Sequence, residues 1–329
     1  MSIDLTRADY FGKVTMPMND ATADAARAGE TFPPLPFEEW EDTKNTLHRF
    51  AQIVGKIRLA SAPHTNHWWH VPFYVTTRGL TTSPMPHGDT TFAIDFDFID
   101  HRLVITTSAG AIESFGLEGL SVARFYDQLF STLSRLGIEV AIVATPYALT
   151  PAEHFATDTT HASYDKEYVN RYWRILVQTD MVFKEFSGRF TGKTSPVHLF
   201  WHSFDLAVTR FSGRRAPDRE GADRATREAY SHEVISFGFW PGDANVRAPA
   251  FYSYTAPEPA GLADQPLQPE EAFWADADGS SMAMLMYDDL RRMTSPKTAL
   301  LDFLDSAYHA GARTAGWDEE ALATIKVRS

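Results

Sequence analysis

The stretch Trp69-His70-Val71-Pro72-Phe73-Tyr74-Val75-Thr76-Thr77-Arg78 is echoed by Trp201-His202-Ser203-Phe204-Asp205-Leu206-Ala207-Val208-Thr209-Arg210. Each opens on a Trp-His pair and closes on a Thr-Arg pair at the same spacing. Tryptophan and histidine number only 8 and 12 in 329 residues. Four identities at one internal spacing therefore point to a duplication, and self-similarity is the first thing to settle because it fixes the architecture.

Outward from the echoes, the chain reads as two similar halves. In the first, Trp40, Leu47, Phe50, Ala51, Val54 and Ile57 recur at helical steps and predict a helix over about 37–59. Asn66 to Gly79 reads as a strand of aromatic and β-branched residues. Thr91 to Phe98 and Arg102 to Thr107 read as a hairpin turning at Ile99-Asp100-His101. Ser121 caps a second helix that ends at Gly137, and Val140 to Ala144 reads as a buried strand.

The second half repeats the order. A long helix runs from about Ser163 to Phe190, with Trp173 standing where Trp40 stood. Val197 to Ser212 is the matching strand, then Tyr230 to Trp240, Ala250 to Thr255 and Met282 to Tyr287. A helix starts at Ser295-Pro296, and a short amphipathic piece carries Trp317, Leu322 and Ile325. The expectation is an α+β fold of internally duplicated helix-strand-strand-strand-helix halves, forming antiparallel sheet with helices packed on it. The boundaries are an extended segment over 1–35, a first pseudo-repeat over 36–150 and a second over 151–329. The repeats are read as one compact unit, their sheets joined about a pseudo-two-fold axis.

Composition narrows the chemistry. The formal net charge of −13 argues against nucleic acid or an anionic membrane as partner. There is no cysteine, which excludes disulfides, thiolate zinc sites and cysteine nucleophiles. No apolar run spans a bilayer and no signal core opens the chain, so a soluble, cytoplasmic protein is expected. No P-loop, G-x-G-x-x-G or H-E-x-x-H is present, so no nucleotide cofactor is expected. A G-x-S-x-G elbow is also missing.

Longer runs carry a resemblance. They include Gln52-Ile53-Val54-Gly55-Lys56-Ile57-Arg58-Leu59, Asn66-His67-Trp68-Trp69-His70-Val71-Pro72, and Ser203-Phe204-Asp205-Leu206-Ala207-Val208-Thr209-Arg210-Phe211-Ser212-Gly213-Arg214-Arg215. Over roughly Pro34 to Trp317 the chain resembles an uncharacterised family of domains of unknown function, DUF5996. The resemblance implies no activity, cofactor or catalytic residue.

Histidine is the most suggestive chemical material. His198 and His202 have the spacing of a chelate on a helix, but on a strand their rings stand roughly 13 Å apart and cannot share an ion. His64, His67 and His70 recur every three residues. A turn of three residues per revolution would gather them on one side as a zinc set, whereas a strand would send His67 and His70 to opposite faces. With His232 they are the metal candidates, and a divalent metal stays open. His232-Glu233 offers a base beside a carboxylate, although adjacent strand residues point apart. Asp158, His161 and Asp165 read as helix capping.

Arg78 and Arg210 would anchor an anion bidentately, or would pair with some of the 43 acids. Lys56 and Arg58 read as charges at a helix C-terminus. Two functions follow. One is an enzyme acting on a small anionic or aromatic molecule, with His70, His202 and His232 for proton transfer, Arg78 and Arg210 as anchors, and Trp69 and Trp201 as walls. If the echoed strands run antiparallel and adjacent, His70 would meet Arg210 and His202 would meet Arg78. The other is a non-catalytic ligand-binding or assembly module in which His and Trp are structural.

Overall fold

The computed structural model describes residues 31–324. The expectations for residues 1–30 and for Ile325 lie outside the described residues. The first helix, α1 (Phe37–Ser61), forms where the periodicity places it, and every residue of the predicted stripe is buried. Glu38 and Glu39 occupy its first turn and Arg58 its last, each at the dipole end that favours its charge.

A 3-10 turn at Asn66–Trp68 follows. Then come β1 (Tyr74–Val75), β2 (Gly79–Thr81), β3 (Met85–His87), β4 (Thr90–Asp97), β5 (Arg102–Thr107) and β6 (Ile112–Gly116). Their antiparallel sheet runs β1-β2-β4-β5-β6, with β3 on β4. The β4–β5 hairpin turns where the sequence places it. Its turn is organised by Asp97 Oδ1, which accepts from the Ile99 and Asp100 amides at 2.9 Å each. In α2 (Val122–Arg135) the cap reads as expected. Ser121 Oγ accepts from the Arg124 amide at 3.3 Å, and Gly137 ends the helix at φ 72°, a left-handed position that glycine adopts without a Cβ clash.

Next come α3 (Lys166–Ser187), β7 (His198–Phe200), β8 (Asp205–Arg215) and α4 (Arg224–Ala229), then β9 (His232–Trp240), β10 (Ala250–Ala256), β11 (Phe273–Ala277) and β12 (Ser280–Met286). Three helices close the order: α5 (Tyr287–Arg292), α6 (Pro296–Thr314) and α7 (Glu319–Leu322). A second antiparallel path runs β11-β12-β10-β9-β8. The fold is therefore α+β with two antiparallel sheets. The order of elements does not establish the duplication, since β1 to β6 all lie between α1 and α2 where three strands were expected.

The described residues form two compact units. The first holds Glu38–Val177 and His198–Asp205. The second holds residues 31–37, Gln178–Val197 and residues 206–324. In the first, Phe125 of α2 covers the sheet beside Phe96 and Phe115, and Phe50 of α1 stacks on Phe125 at 4.0 Å. In the second, Phe186 meets Phe237 of β9 at 4.8 Å, edge to face. Trp240, Tyr252, Met282 and Met284 pack together on that unit's sheet. Among the described residues no helix is long and apolar enough to cross a membrane.

Three strand expectations fail. Asn66 to Gly79 is mostly turn. Successive i→i+3 bonds (Trp68 N to Thr65 O at 3.1 Å, Val71 N to Trp68 O at 3.2 Å) curl it, with His67 and Trp68 at positive φ. Strand pairing is confined to Phe73, bridged to Leu199, to Tyr74–Val75, and to the residues after Thr77-Arg78. Val197 to Ser212 is not one strand either, because a turn at residues 201–204 divides β7 from β8. Val140 to Ala144 pairs with no strand, and Val143 is 72% exposed. All three runs have strand composition, but a strand exists only where a ladder partner takes its backbone groups.

Candidate functional site

Besides its apolar stripe α1 carries polar side chains, which on the helix of a globular protein ordinarily meet water. Instead Lys44, His48, Arg49, Gln52 and Arg58 are all buried. An unmatched polar group there costs about 1–3 kcal/mol, so each should have a partner.

Most do, and the partners explain the turn at residues 201–204. His48 Nε2 donates to the carbonyls of Trp201 and His202 at 3.0 and 3.1 Å, which fixes the proton on Nε2 and leaves Nδ1 without a partner. Gln52 clasps the Tyr147 peptide, accepting from its N–H at 2.7 Å and donating to its carbonyl at 2.9 Å. The Tyr172 hydroxyl donates to Phe204 O at 3.1 Å, and Phe204 N–H closes the turn on Phe200 O at 2.7 Å. The Trp201 indole lies directly on Gly55. A Cβ at that glycine would stand 2.2 Å from the indole, and its Nε1 donates to Val71 O at 3.0 Å. Burial holds the His48 pKa well below the usual histidine value, Lys44 reinforcing it against the raising effect of the two carbonyls.

Arg49 is matched by Asp158, 3.4 Å away, whose carboxylate also takes His161 Nδ1 at 2.8 Å. Of the three residues expected to cap α3, Asp165 does so, its Oδ1 accepting from the Glu167 and Tyr168 amides at 2.9 and 3.3 Å, whereas the carbonyls of Asp158 and His161 accept from the first amides of α2.

Arg58 is matched only in part. It is 6% exposed, its Nε has no hydrogen-bond partner, and among the described residues no carboxylate pairs with it. The guanidinium carbon lies 5.8 Å from the Tyr74 ring centroid. Burial lowers its pKa and Tyr74 opposes the shift. Beside it stands His198, 1% exposed, its Nδ1 also without a partner. Burial, then the charge of Arg58, pulls the His198 pKa down to about 3, so this imidazole is neutral at ordinary pH. Ring contacts then lead outward, Tyr74 to His198 at 6.3 Å, His198 to Phe200 at 4.7 Å and Phe200 to His202 at 5.4 Å. The cluster is buried at Arg58 and His198 and partly open at Tyr74, Phe200 and His202.

The residues singled out by the sequence are dispersed. Both Trp-His pairs sit in turns rather than on strands. His64 and His70 meet at 4.8 Å with Trp68 against them, while His67 turns to Trp69 at 5.2 Å. His70 Nδ1 accepts from the Thr65 amide at 3.2 Å. His232 opens β9 opposite Arg215, with its Nδ1 3.1 Å from Ser231 Oγ. Burial lowers its pKa, and Arg215 and Lys193 push the same way. Its neighbour Glu233 pairs with Arg214 at 2.7 Å.

Arg78 donates through Nε to Asp97 and through Nη2 to Asp100, 2.7 Å away, bracing the β4–β5 turn. Arg210 is buried in the second unit. Its guanidinium carbon lies 3.4, 4.5 and 5.0 Å from the ring centroids of Phe186, Tyr308 and Phe190, and Nη2 donates to Phe186 O. Burial lowers its pKa to about 10.

The sequence offers Arg58 only as a helix-end charge and His48 no chemical role. The signal was present: Arg58 falls four residues after Val54 and seven after Ala51, on the buried stripe itself. Gly55 in a helix interior, unfavourable by about 1 kcal/mol against alanine, marks a close approach. Among the described residues no group of three His, Asp or Glu side chains is placed to hold a metal ion. One family model, for a family of unknown function, matches residues 32–324. No curated protein and no solved structure matches the chain.

Proposed function

The chain belongs to DUF5996, a family of unknown function, and we propose that it is a small-molecule-binding protein whose ligand is an anion held by Arg58 beside His198. One observation carries this reading. A buried guanidinium N–H of Arg58 lacks an acceptor, and His198, a buried imidazole that feels the Arg58 charge, has a ring nitrogen without a partner.

The negative end of the α1 dipole and the Tyr74 hydroxyl offset part of the Arg58 charge, which lets it stay buried without an acid. They do not satisfy Nε. An anion would, and a charge-assisted bond in a dry site is the strong kind. Neutral His198, protonated on Nδ1, would add a second donor. His202 and Trp201 flank the site in this reading. His70, His232, Trp69, Arg78 and Arg210 have the other partners described above and are not part of it. Proton transfer, the catalytic reading, needs a histidine titrating near neutral pH. His198 lies far below that range, and burial also lowers His202, Asp205 opposing.

Titration calorimetry of the full chain with acetate, benzoate, sulfate and phosphate tests the proposal. At least one anion should bind at one site per chain, and Arg58→Met should weaken it by at least about tenfold, the worth of one charged hydrogen bond. Binding unchanged in Arg58→Met, or no binding by any of the four, overturns it.

A further inference from the structure

Resting on that reading, we infer that the ligand is an organic monocarboxylate with a planar apolar body, bound through its carboxylate at Arg58 and along the rings of His198, Tyr74 and Phe200. The charge count selects a monoanion. Arg58 is the one fixed cation the cluster is built around, and His198 is neutral beside it. Lys56 is two residues away, which on a helix is the opposite side, and its Nζ lies over the Trp201 ring at 5.9 Å. A phosphate dianion would therefore leave one charge uncompensated in a desolvated site, which is costly. A carboxylate matches one guanidinium in both charge and plane.

The rings select the body. Tyr74, His198 and Phe200 contact one another in sequence at 6.3 and 4.7 Å, each pair steeply inclined. Inclined aromatic rings accommodate a flat apolar ring by edge and face contacts. The buried end of the row is polar and cationic, and the open end is aromatic. A carboxylate entering first, with its ring trailing between Tyr74 and Phe200, meets each part with its like. The two half-buried rings have to part for entry, because Arg58 Nε is shielded from solvent.

The probes are benzoate, acetate, inorganic phosphate and benzyl alcohol, titrated into the full chain. Benzoate should bind, acetate should be at least about tenfold weaker for want of the apolar body, and phosphate and benzyl alcohol should give no saturable signal. Because His198 stays neutral, benzoate affinity should be level from pH 6 to pH 8. Phe200→Ala should weaken benzoate but not acetate, and this variant keeps the question answerable if Arg58→Met does not fold. Phosphate binding more tightly than benzoate, with loss in Arg58→Met, overturns the monocarboxylate inference and leaves anion binding standing. So does acetate binding as well as benzoate. Failure of every anion overturns both.

Discussion

Arg78 and Arg210 hold the same place in two echoed stretches and live in opposite surroundings. Arg78 is exposed and spends its donors on the two aspartates of a hairpin turn. Arg210 is buried among three aromatic rings, with a backbone carbonyl for one N–H. The tryptophans divide the same way, Trp69 half-exposed and Trp201 buried against a glycine. Equal spacing along the chain did not bring equal roles. Thr77-Arg78 falls in a bend between two short strands, while Thr209-Arg210 lies within a long strand, laddered to β9 on one edge and bridged by Thr194 on the other.

The largest expected effect falls on the tryptophans. Trp201→Ala should destabilise the protein by about 3–5 kcal/mol in urea melts, and Trp69→Ala by clearly less. Equal losses would erase the contrast between the copies. Next come the arginines. Arg210→Ala should cost about 2–4 kcal/mol, through lost ring contacts and a cavity, and Arg210→Met should recover much of it. Arg78→Ala should move the urea midpoint little, as exposed ion pairs do. A large loss at Arg78 with none at Arg210 would reverse the assignment.

Gly55→Ala sharpens the Trp201 side of the comparison. In an open helix the change would stabilise by about 1 kcal/mol, but here the methyl meets the indole, and a loss of about 1–3 kcal/mol is expected. A stabilised variant would show that the indole is not held where it lies.

A further effect is a slope rather than a step. The His198 pKa falls from 6.5 in the unfolded chain to about 3 in the folded one. Between those values the unfolded state binds a proton that the native state refuses. The stability is therefore fully present above pH 6.5 and is lost as pH falls, at about 1.4 kcal/mol per pH unit. His48, lowered for the same reason, adds in the same direction. Urea melts at pH 7, 6 and 5 should show His198→Phe with a shallower acid slope than the parent. An identical slope would mean that His198 is not the proton-linked group.

Much of the local structure was legible. The stripe of α1, the Ser121 cap, the Gly137 stop, the β4–β5 turn and the strands β9, β10 and β12 depend on neighbours a few residues away, whereas β11 carries no comparable signal. The strands at 66–79 and 197–212 misread because their turns are fixed from a distance. His48, Gln52 and Tyr172 supply the donors that make a turn at residues 201–204 cheaper than a strand. Arg58 misread for a related reason. As the last-turn cation of a helix it needed no other explanation, until burial removed its water.

The sequence by itself determined the α+β class, the helix with its apolar stripe, and the family, because periodicity, caps and long motifs are written in consecutive residues. It could also exclude cysteine chemistry outright. Only the tertiary structure decided which histidines are buried, which arginine keeps a carboxylate partner and which goes without. Those outcomes depend on desolvation and on the partner each group meets across more than a hundred residues of chain, as His48 meets Trp201.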